Sequence, residues 1–225
     1  MNGHYAIAID GPSGAGKSSL ARACAKAFGF LYVDTGAIYR TVGLAAYRRG
    51  LDRRDEAVVA AMLPELDIRM AYNEQGEQRM YLNGEDVSAE IRLPEISICA
   101  SDVSALPAVR AYLLEMQRKM ARENNVIMDG RDIGTVVCPK ADVKFFVTAS
   151  AEVRADRRFK ELQDAGKPAD YDKILKDIKE RDERDSNRAT APLKPAEDAY
   201  VLDTSKMNAV QAYQAALDFI AIDHA

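Results

Sequence analysis

A chain of 225 residues with 48% apolar content can bury one sizeable core and leaves little room for two independent ones. With 31 basic residues against 35 acidic ones the net charge is −4, and no apolar run reaches the roughly 18 residues a membrane helix needs, so neither a nucleic-acid nor a membrane partner is expected. Arginine supplies 19 of the basic residues, and its planar fork pairs with phosphate or carboxylate through two hydrogen bonds, which points to a small anionic substrate wherever arginines cluster.

Tyr5 to Ile9 is a short apolar run bounded by Asp10, Gly11 and Pro12, and it reads as a buried parallel strand. From Lys17 to Phe28 the residues Leu20, Ala21, Cys24, Ala25 and Phe28 recur at helical spacing, with Gly29 as the stop. A second apolar run, Phe30 to Val33, ends at Asp34, and a helical stretch from about Ala37 to Arg49 stops at Gly50. Leu66 to Tyr72 and Gln78 to Leu82 alternate partially around Asn73 to Gly76, which predicts an antiparallel hairpin inserted into the βα order. Pro107 opens a helix with Val109, Leu113, Met116 and Met120 on one face. Val126 to Met128 and Val143 to Val147 are further strands, followed by two highly charged helical stretches, a strand at Tyr200 to Leu202 and a last helix from about Asn208. Five core strands alternating with helices predict an α/β fold with an open parallel sheet and helices on both faces.

The loop after the first strand, Gly11-Pro12-Ser13-Gly14-Ala15-Gly16-Lys17-Ser18, satisfies the pattern G-x-x-x-x-G-K-[ST]. Between a strand and a helix, backbone N–H groups up to Ser19 can surround an anion, and the helix N-terminus adds partial positive charge. Glycine at 11, 14 and 16 leaves the backbone free to approach phosphates, Lys17 is placed to reach the β- and γ-phosphates, and the Ser18 hydroxyl is a ligand for Mg²⁺, so MgATP is the expected donor. A turn that needs glycine for geometry alone would leave the Lys17-Ser18 pair unexplained. Neither Asn-Lys-x-Asp nor Leu-Ser-Gly-Gly occurs, which argues against a GTPase switch and a transporter ATPase. Cys24, Cys99 and Cys138 are odd in number and widely spaced, which predicts free thiols and a cytoplasmic protein. His4 and His224 lie at the chain ends, which argues against a histidine base or a histidine-held metal.

Three further clusters carry charge at strand ends or on one helical face: Asp34-Thr35 to Tyr39-Arg40, Met128-Asp129 to Arg131-Asp132 and on to Val137, and Arg181, Arg184, Asp185 and Arg188. Singly, an Asp-Gly pair is commonly a turn and a charge run a solvated helix. Together with the phosphate loop, with Gly84 to Ser88 and Glu90 to Arg92, and with Lys179 to Asp182, Asn187-Arg188 and Ala191 to Leu193, they make the chain resemble the bacterial cytidylate kinases within the nucleoside monophosphate kinase family, from about Ala6 to Leu202. Thr35 stands where serine is common in that family, and Ser18 where it often has glycine followed by threonine.

The resemblance implies a P-loop NTPase-type three-layer fold with a five-stranded parallel core sheet, a small antiparallel β insertion and a helical lid. It implies one kinase domain over residues 1–225, with a core at about 1–34, 102–153 and 171–225, a monophosphate-binding insertion at about 35–101 and a lid at about 154–170. The implied reaction is phosphoryl transfer from MgATP to CMP or dCMP by a cytoplasmic monomer. Lys17, Arg40, Arg131 and Arg158 are the implied catalytic residues, with Arg40 and Arg131 as the clamp on the acceptor phosphate. Arg181 and Asp185 are implied for the ribose, and Ser101, Arg110, Asp132 and Arg188 for the base, with Thr35 and Tyr39 also on the acceptor side. Arg154, Arg157 and Arg158 share a face of the lid helix and would reach the ATP phosphates, Arg154 having solvated charge as its alternative. Asp129 would orient the Mg²⁺ shell through water or pair with a neighbouring arginine. Rival readings are a phosphate-loop kinase for another small acceptor such as shikimate, and an ATP-binding switch that phosphorylates nothing.

Overall fold

The computed structural model describes residues 4–223, and His224 lies outside them. In chain order these residues form β1 (Ala6–Asp10), α1 (Lys17–Phe28), β2 (Leu31–Asp34), α2 (Thr35–Arg48) and α3 (Glu56–Met62). Next come β3 (Ile68–Tyr72), β4 (Gln78–Leu82), β5 (Glu85–Asp86), α4 (Pro94–Ser104) and α5 (Pro107–Glu123). The rest is β6 (Val126–Gly130), β7 (Val143–Thr148), α6 (Ala151–Asp164), α7 (Tyr171–Asn187), β8 (Tyr200–Asp203) and α8 (Ala209–Asp223). The chain divides into two units, Met1–Tyr32 with Glu123–Ala225, and Val33–Arg122.

The first unit is built on a five-stranded sheet in the order β2-β6-β1-β7-β8. In the parallel register β1 is central, with Ile9 opposite Asp129 of β6 and Phe145 of β7, and β8 follows β7 with Phe146 opposite Val201. Strands covered on both faces need continuous apolar runs, and Ile7, Ala8, Ile9, Val126, Ile127 and Met128 are all buried. Leu20, Ala21, Cys24 and Ala25 of α1 pack with Ile9, Phe145 and Val147 of the sheet and with Ala212, Ala216 and Ile220 of α8 in one cluster. Connections leave β1 and β6 in opposite directions across the sheet, so the loops after these adjacent strands stand where an open α/β sheet places ligands.

The second unit contains the expected hairpin: β3 and β4 are antiparallel from Ile68–Leu82 to Tyr72–Gln78, and β5 adds two residues to β4. Helices α3 and α4 also lie here, where only the hairpin is legible from alternation. Their buried residues, Val59 and Met62 in α3 and Ile96, Cys99 and Val103 in α4, join Ile38, Val42, Met80 and Leu113 in a second core. Helix α2 begins at Thr35, two residues earlier than its apolar pattern suggests, because the Asp34 side chain caps it by accepting from Ala37 N–H at 2.9 Å.

Helices α2 and α4 meet closely at Gly43, where a Cβ would lie 2.8 Å from Ala100 N and 3.0 Å from the Cys99 carbonyl carbon. Gly43→Ala gains about 1 kcal/mol of helix propensity. The overlap is with backbone that cannot swing aside, and overpacking of that kind costs roughly 1–3 kcal/mol. The overlap should win, so the urea midpoint of Gly43→Ala should fall below that of the unaltered protein; an equal or higher midpoint would show that the helices move apart freely.

Candidate active site

The phosphate loop starts at Gly11, whose φ is 142° and whose Cβ, if it had one, would lie 1.9 Å from the carbonyl oxygen of Val147 in β7. No other residue fits there without moving the loop or β7. Gly14 and Gly16 have φ of 80° and 93°, the left-handed region that glycine adopts without strain. Lys17 is buried, and its Nζ folds back to donate to the Pro12 carbonyl oxygen at 2.7 Å. The Ser18 hydroxyl donates to Asp129 Oδ2 at 2.6 Å, and the Tyr32 hydroxyl donates to Asp129 Oδ1 at 3.1 Å.

Two arginines of α6 hold protein groups around this loop. Buried Arg154 donates from Nε to the Ala149 carbonyl at 2.8 Å, and from Nη1 to the Ser13 carbonyl at 3.1 Å and to Asp182 Oδ1 of α7 at 3.0 Å. Arg157 donates to the Thr204 carbonyl at 2.7 Å, and the Thr204 hydroxyl donates to the Ala15 carbonyl at 3.1 Å. Arg158 is half exposed and pairs with Glu161 one turn on, at 3.1 Å. Residues that share a face by spacing therefore stand in three different environments.

After β6 the chain passes through Arg131 and Asp132 into a single π-helical turn, Ile133–Val137. Arg131 Nε donates to Asp185 Oδ2 of α7 at 2.9 Å, and its Nη1 to the Gly130 carbonyl at 3.1 Å. Buried Asp132 and Arg188 pair at 3.6 Å. The unit thus brings together Lys17, Ser18, Asp129, Arg131, Asp132, Arg181, Asp185 and Arg188.

Four cations, Lys17, Arg131, Arg181 and Arg188, stand here among the carboxylates of Asp129, Asp132 and Asp185. Burial pushes the Lys17 pKa well below its ordinary value, Arg131 and Arg181 push it the same way, and Asp129 and Asp10 pull against them. Burial raises the carboxyl of Asp185, but Arg131 and Arg181 outweigh it and hold the group below its usual range. Asp10, which the sequence reading passes over, accepts from Ile133 N–H and Gly134 N–H at 2.7 Å each. Burial nevertheless pushes its pKa up to about 6, the two backbone bonds and Lys17 opposing and Asp132 adding to the rise.

In the second unit Asp34 is the organising group. Arg92 Nη1 lies 2.9 Å and Arg40 Nη1 3.5 Å from its Oδ2. Burial raises the Asp34 carboxyl, and Arg40, Arg92 and the Ala37 N–H bond more than reverse it, leaving the pKa lowered. Thr35 is buried at the start of α2. The Arg110 guanidinium lies over the Tyr39 ring at 5.5 Å and donates to the Ser104 carbonyl at 3.1 Å, and the Ser104 hydroxyl donates to the Ser101 carbonyl at 3.0 Å. Tyr39, Arg110 and the Ser101 segment are thereby gathered. Arg92 enters the sequence reading only within the Glu90 to Arg92 segment of the resemblance, because nothing in its spacing marks it as a partner of Asp34.

A family model described as cytidylate kinase matches residues 7–221. A cytidylate kinase of Pasteurella multocida is 47% identical over 98% of this chain and 96% of its own length. One of Paramagnetospirillum magneticum is 49% identical over 95% of this chain and 96% of its own. Among solved structures, an uncharacterized protein of Eubacterium ventriosum superposes with a TM-score of 0.51 at 13% identity, covering 97% of this chain and 99% of the other, a likeness of fold alone.

The raised pKa of Asp10 has a signed consequence. Between its ordinary 3.8 and about 6 the native state holds a proton that the unfolded chain has released, so the carboxyl favours folding at low pH and that contribution is lost as pH rises through about 6. The stability of the unaltered protein relative to Asp10→Asn, followed by urea unfolding between about pH 4 and 7, should therefore fall with rising pH. A difference that stays flat or rises would contradict a carboxyl buried in this way.

Proposed function

The chain belongs to the cytidylate kinase family, and from that premise we infer that it transfers the γ-phosphoryl group of ATP to CMP or dCMP, giving ADP and CDP or dCDP. It is an ATP-dependent nucleoside monophosphate kinase of pyrimidine nucleotide metabolism. The observation that carries the assignment of its site is the burial of Lys17 beside a glycine loop with Arg131 and Arg181 near enough to depress its pKa, a concentration of positive charge suited to polyphosphate.

The loop from Gly11 to Gly16, with Ser18 and Ser19 at the helix start, offers backbone N–H groups to the ATP phosphates, and Lys17 neutralises the transferring group. The Ser18 hydroxyl and the Asp129 carboxylate, 2.6 Å apart, are hard oxygen donors that suit Mg²⁺, which when bound with ATP supplies charge neutralisation on the phosphate oxygens. Arg131 and Arg40 are assigned to the acceptor phosphate, for which two guanidinium forks are suited. Asp185, kept ionised by Arg131 and Arg181, accepts from the ribose hydroxyls alongside Arg181. Asp132, Arg188, Ser101 and Arg110 read the base, with Thr35 and Tyr39 on the same acceptor side. Arg158, with its exposed guanidinium, is assigned to the ATP phosphates when residues 154–170 close as a lid, and the bonds of Arg157 to Thr204 support a role in holding the loop that Thr204 touches.

An acceptor phosphate oxygen is ionised at neutral pH and attacks the γ-phosphorus directly as ADP leaves, so no general base is required. The loose transition state asks for alignment and charge neutralisation, which lysine and arginine supply. A carboxylate at Asp132 accepts from the cytosine 4-amino group but meets the uracil 4-oxo group lone pair to lone pair, and a site built on such a bond rejects the analogue lacking it by roughly 10⁴-fold. Free thiols at Cys24, Cys99 and Cys138 support a reducing cytoplasm as the place of work, and no described helix is long and apolar enough to cross a membrane.

Lys17→Ala should cut ADP formation from ATP and CMP by about 10³-fold or more with the cooperative unfolding transition retained. Full retention of turnover would remove Lys17 from the phosphate site. Asp132→Ala should lower kcat/KM for CMP much more than for UMP. Equal losses for the two would take Asp132 out of base recognition.

A further inference from the structure

Asp10 has no part in the reaction as described, yet it is the residue in which β1 ends and the phosphate loop begins. It is 4% exposed, and each carboxylate oxygen accepts one backbone N–H at 2.7 Å, Oδ1 from Ile133 and Oδ2 from Gly134. These donors are the two residues directly after Asp132. We propose that Asp10 is a positioning residue for nucleobase discrimination: by gripping the Ile133 and Gly134 N–H groups it sets the direction in which Asp132 presents its carboxylate to the base. This rests on the reading of Asp132 as a base ligand.

The turn that follows Asp132 does not set that direction by itself. Its internal bonds run to the Asp132 carbonyl from Val136 at 2.9 Å and Val137 at 3.2 Å, and to the Ile133 carbonyl from Cys138 at 2.7 Å. The first N–H groups of any helical turn point out of it and need partners from elsewhere. Asp10 supplies both partners from a different strand, 123 and 124 residues earlier in the chain. Asp132 itself has φ −146° and ψ 26°, outside the regular helical region, so its side-chain direction depends on what fixes the residues after it.

The clasp is tight on both sides of the turn. A Cβ on Gly134 would lie 3.4 Å from Asp10 Oδ2 and 3.2 Å from Lys144 Cδ. Lys144 is in turn fixed by donating to the Pro139 carbonyl at 2.7 Å and to Asp198 Oδ1 at 2.9 Å. An ionised carboxylate offers acceptors to both N–H groups, whereas an asparagine offers one acceptor and turns an N–H toward the other donor. Asp10→Asn is therefore close to isosteric and removes one arm of the grip without emptying the site.

The test is kcat/KM for CMP and for UMP in the unaltered protein, Asp10→Asn, Asp132→Ala and the double variant, with KM for ATP alongside. Asp10→Asn should lower the CMP/UMP ratio by about 10- to 100-fold, the scale of a misplaced recognition group, with KM for ATP changed less than about threefold. In the Asp132→Ala background the same substitution should leave the ratio where it is, because the group it aims is gone. If Asp132→Ala lowers the ratio while Asp10→Asn lowers CMP and UMP turnover equally, or neither, Asp10 is structural and the proposal fails. If Asp132→Ala leaves the ratio unchanged, the base-reading assignment fails first and this proposal with it. Should Asp10→Asn not fold, amide exchange in the unaltered protein decides: Ile133 and Gly134 N–H should exchange slowly, and exchange at the rate of exposed loop amides would overturn the grip.

Discussion

Burying a lysine among arginines is unfavourable, and the first unit is arranged around doing so. Lys17 loses its hydration and lies near Arg131 and Arg181, all of which lower its pKa, while the Pro12 carbonyl and the charges of Asp129 and Asp10 oppose them. A bound polyphosphate reverses the sign of that environment. Much else in the unit secures the geometry in which this happens: Gly11 lets the chain pass against the Val147 carbonyl, Arg154 holds the Ser13 carbonyl, and Thr204 holds that of Ala15.

A second regularity links both units. Arg131 is tied to Asp185, Arg188 to Asp132, Arg154 to Asp182, and Arg40 with Arg92 to Asp34. Arginine carries most of its conformational freedom in a long side chain, and a carboxylate partner confines that freedom before any substrate arrives. In Asp34 and Asp185 the arginines more than offset the effect of burial, so these carboxylates remain ionised at neutral pH and keep their arginines in place. Phosphate, with more charge and more acceptor oxygens than a carboxylate, is a fitting ligand for guanidinium groups held in this way.

What the sequence made legible was contiguous. The phosphate loop is one unbroken pattern between an apolar run and a helical repeat, and every residue that gives it meaning lies within eight positions, Gly11 to Ser18. The inner strands β6, β1 and β7 were legible because a strand covered on both faces leaves an uninterrupted apolar run, and the edge strands β2 and β8 by short apolar runs alone. Helix α3 was not: it is seven residues long, and its signal reduces to the cap, Asp55 accepting from Ala57 and Val58 N–H. The roles of Asp10 and Arg92 were missed for a different reason, since the partners that define them are 123 and 58 positions away and no local period connects them. The three arginines of α6 mark the same boundary from the other side. Spacing says which residues share a helix face, and only packing says that Arg154 meets the Ser13 carbonyl of the loop while Arg158 lies half exposed beside Glu161.

Transfer of phosphate from ATP to a cytosine nucleotide at this site can be read in a coupled assay of ADP release across CMP, dCMP, UMP, AMP and shikimate. The kcat/KM should be highest for CMP and dCMP, lower for UMP, and negligible for AMP and shikimate. Turnover of shikimate or AMP above that of both cytosine nucleotides, or ATP binding with no turnover of any acceptor, would contradict it.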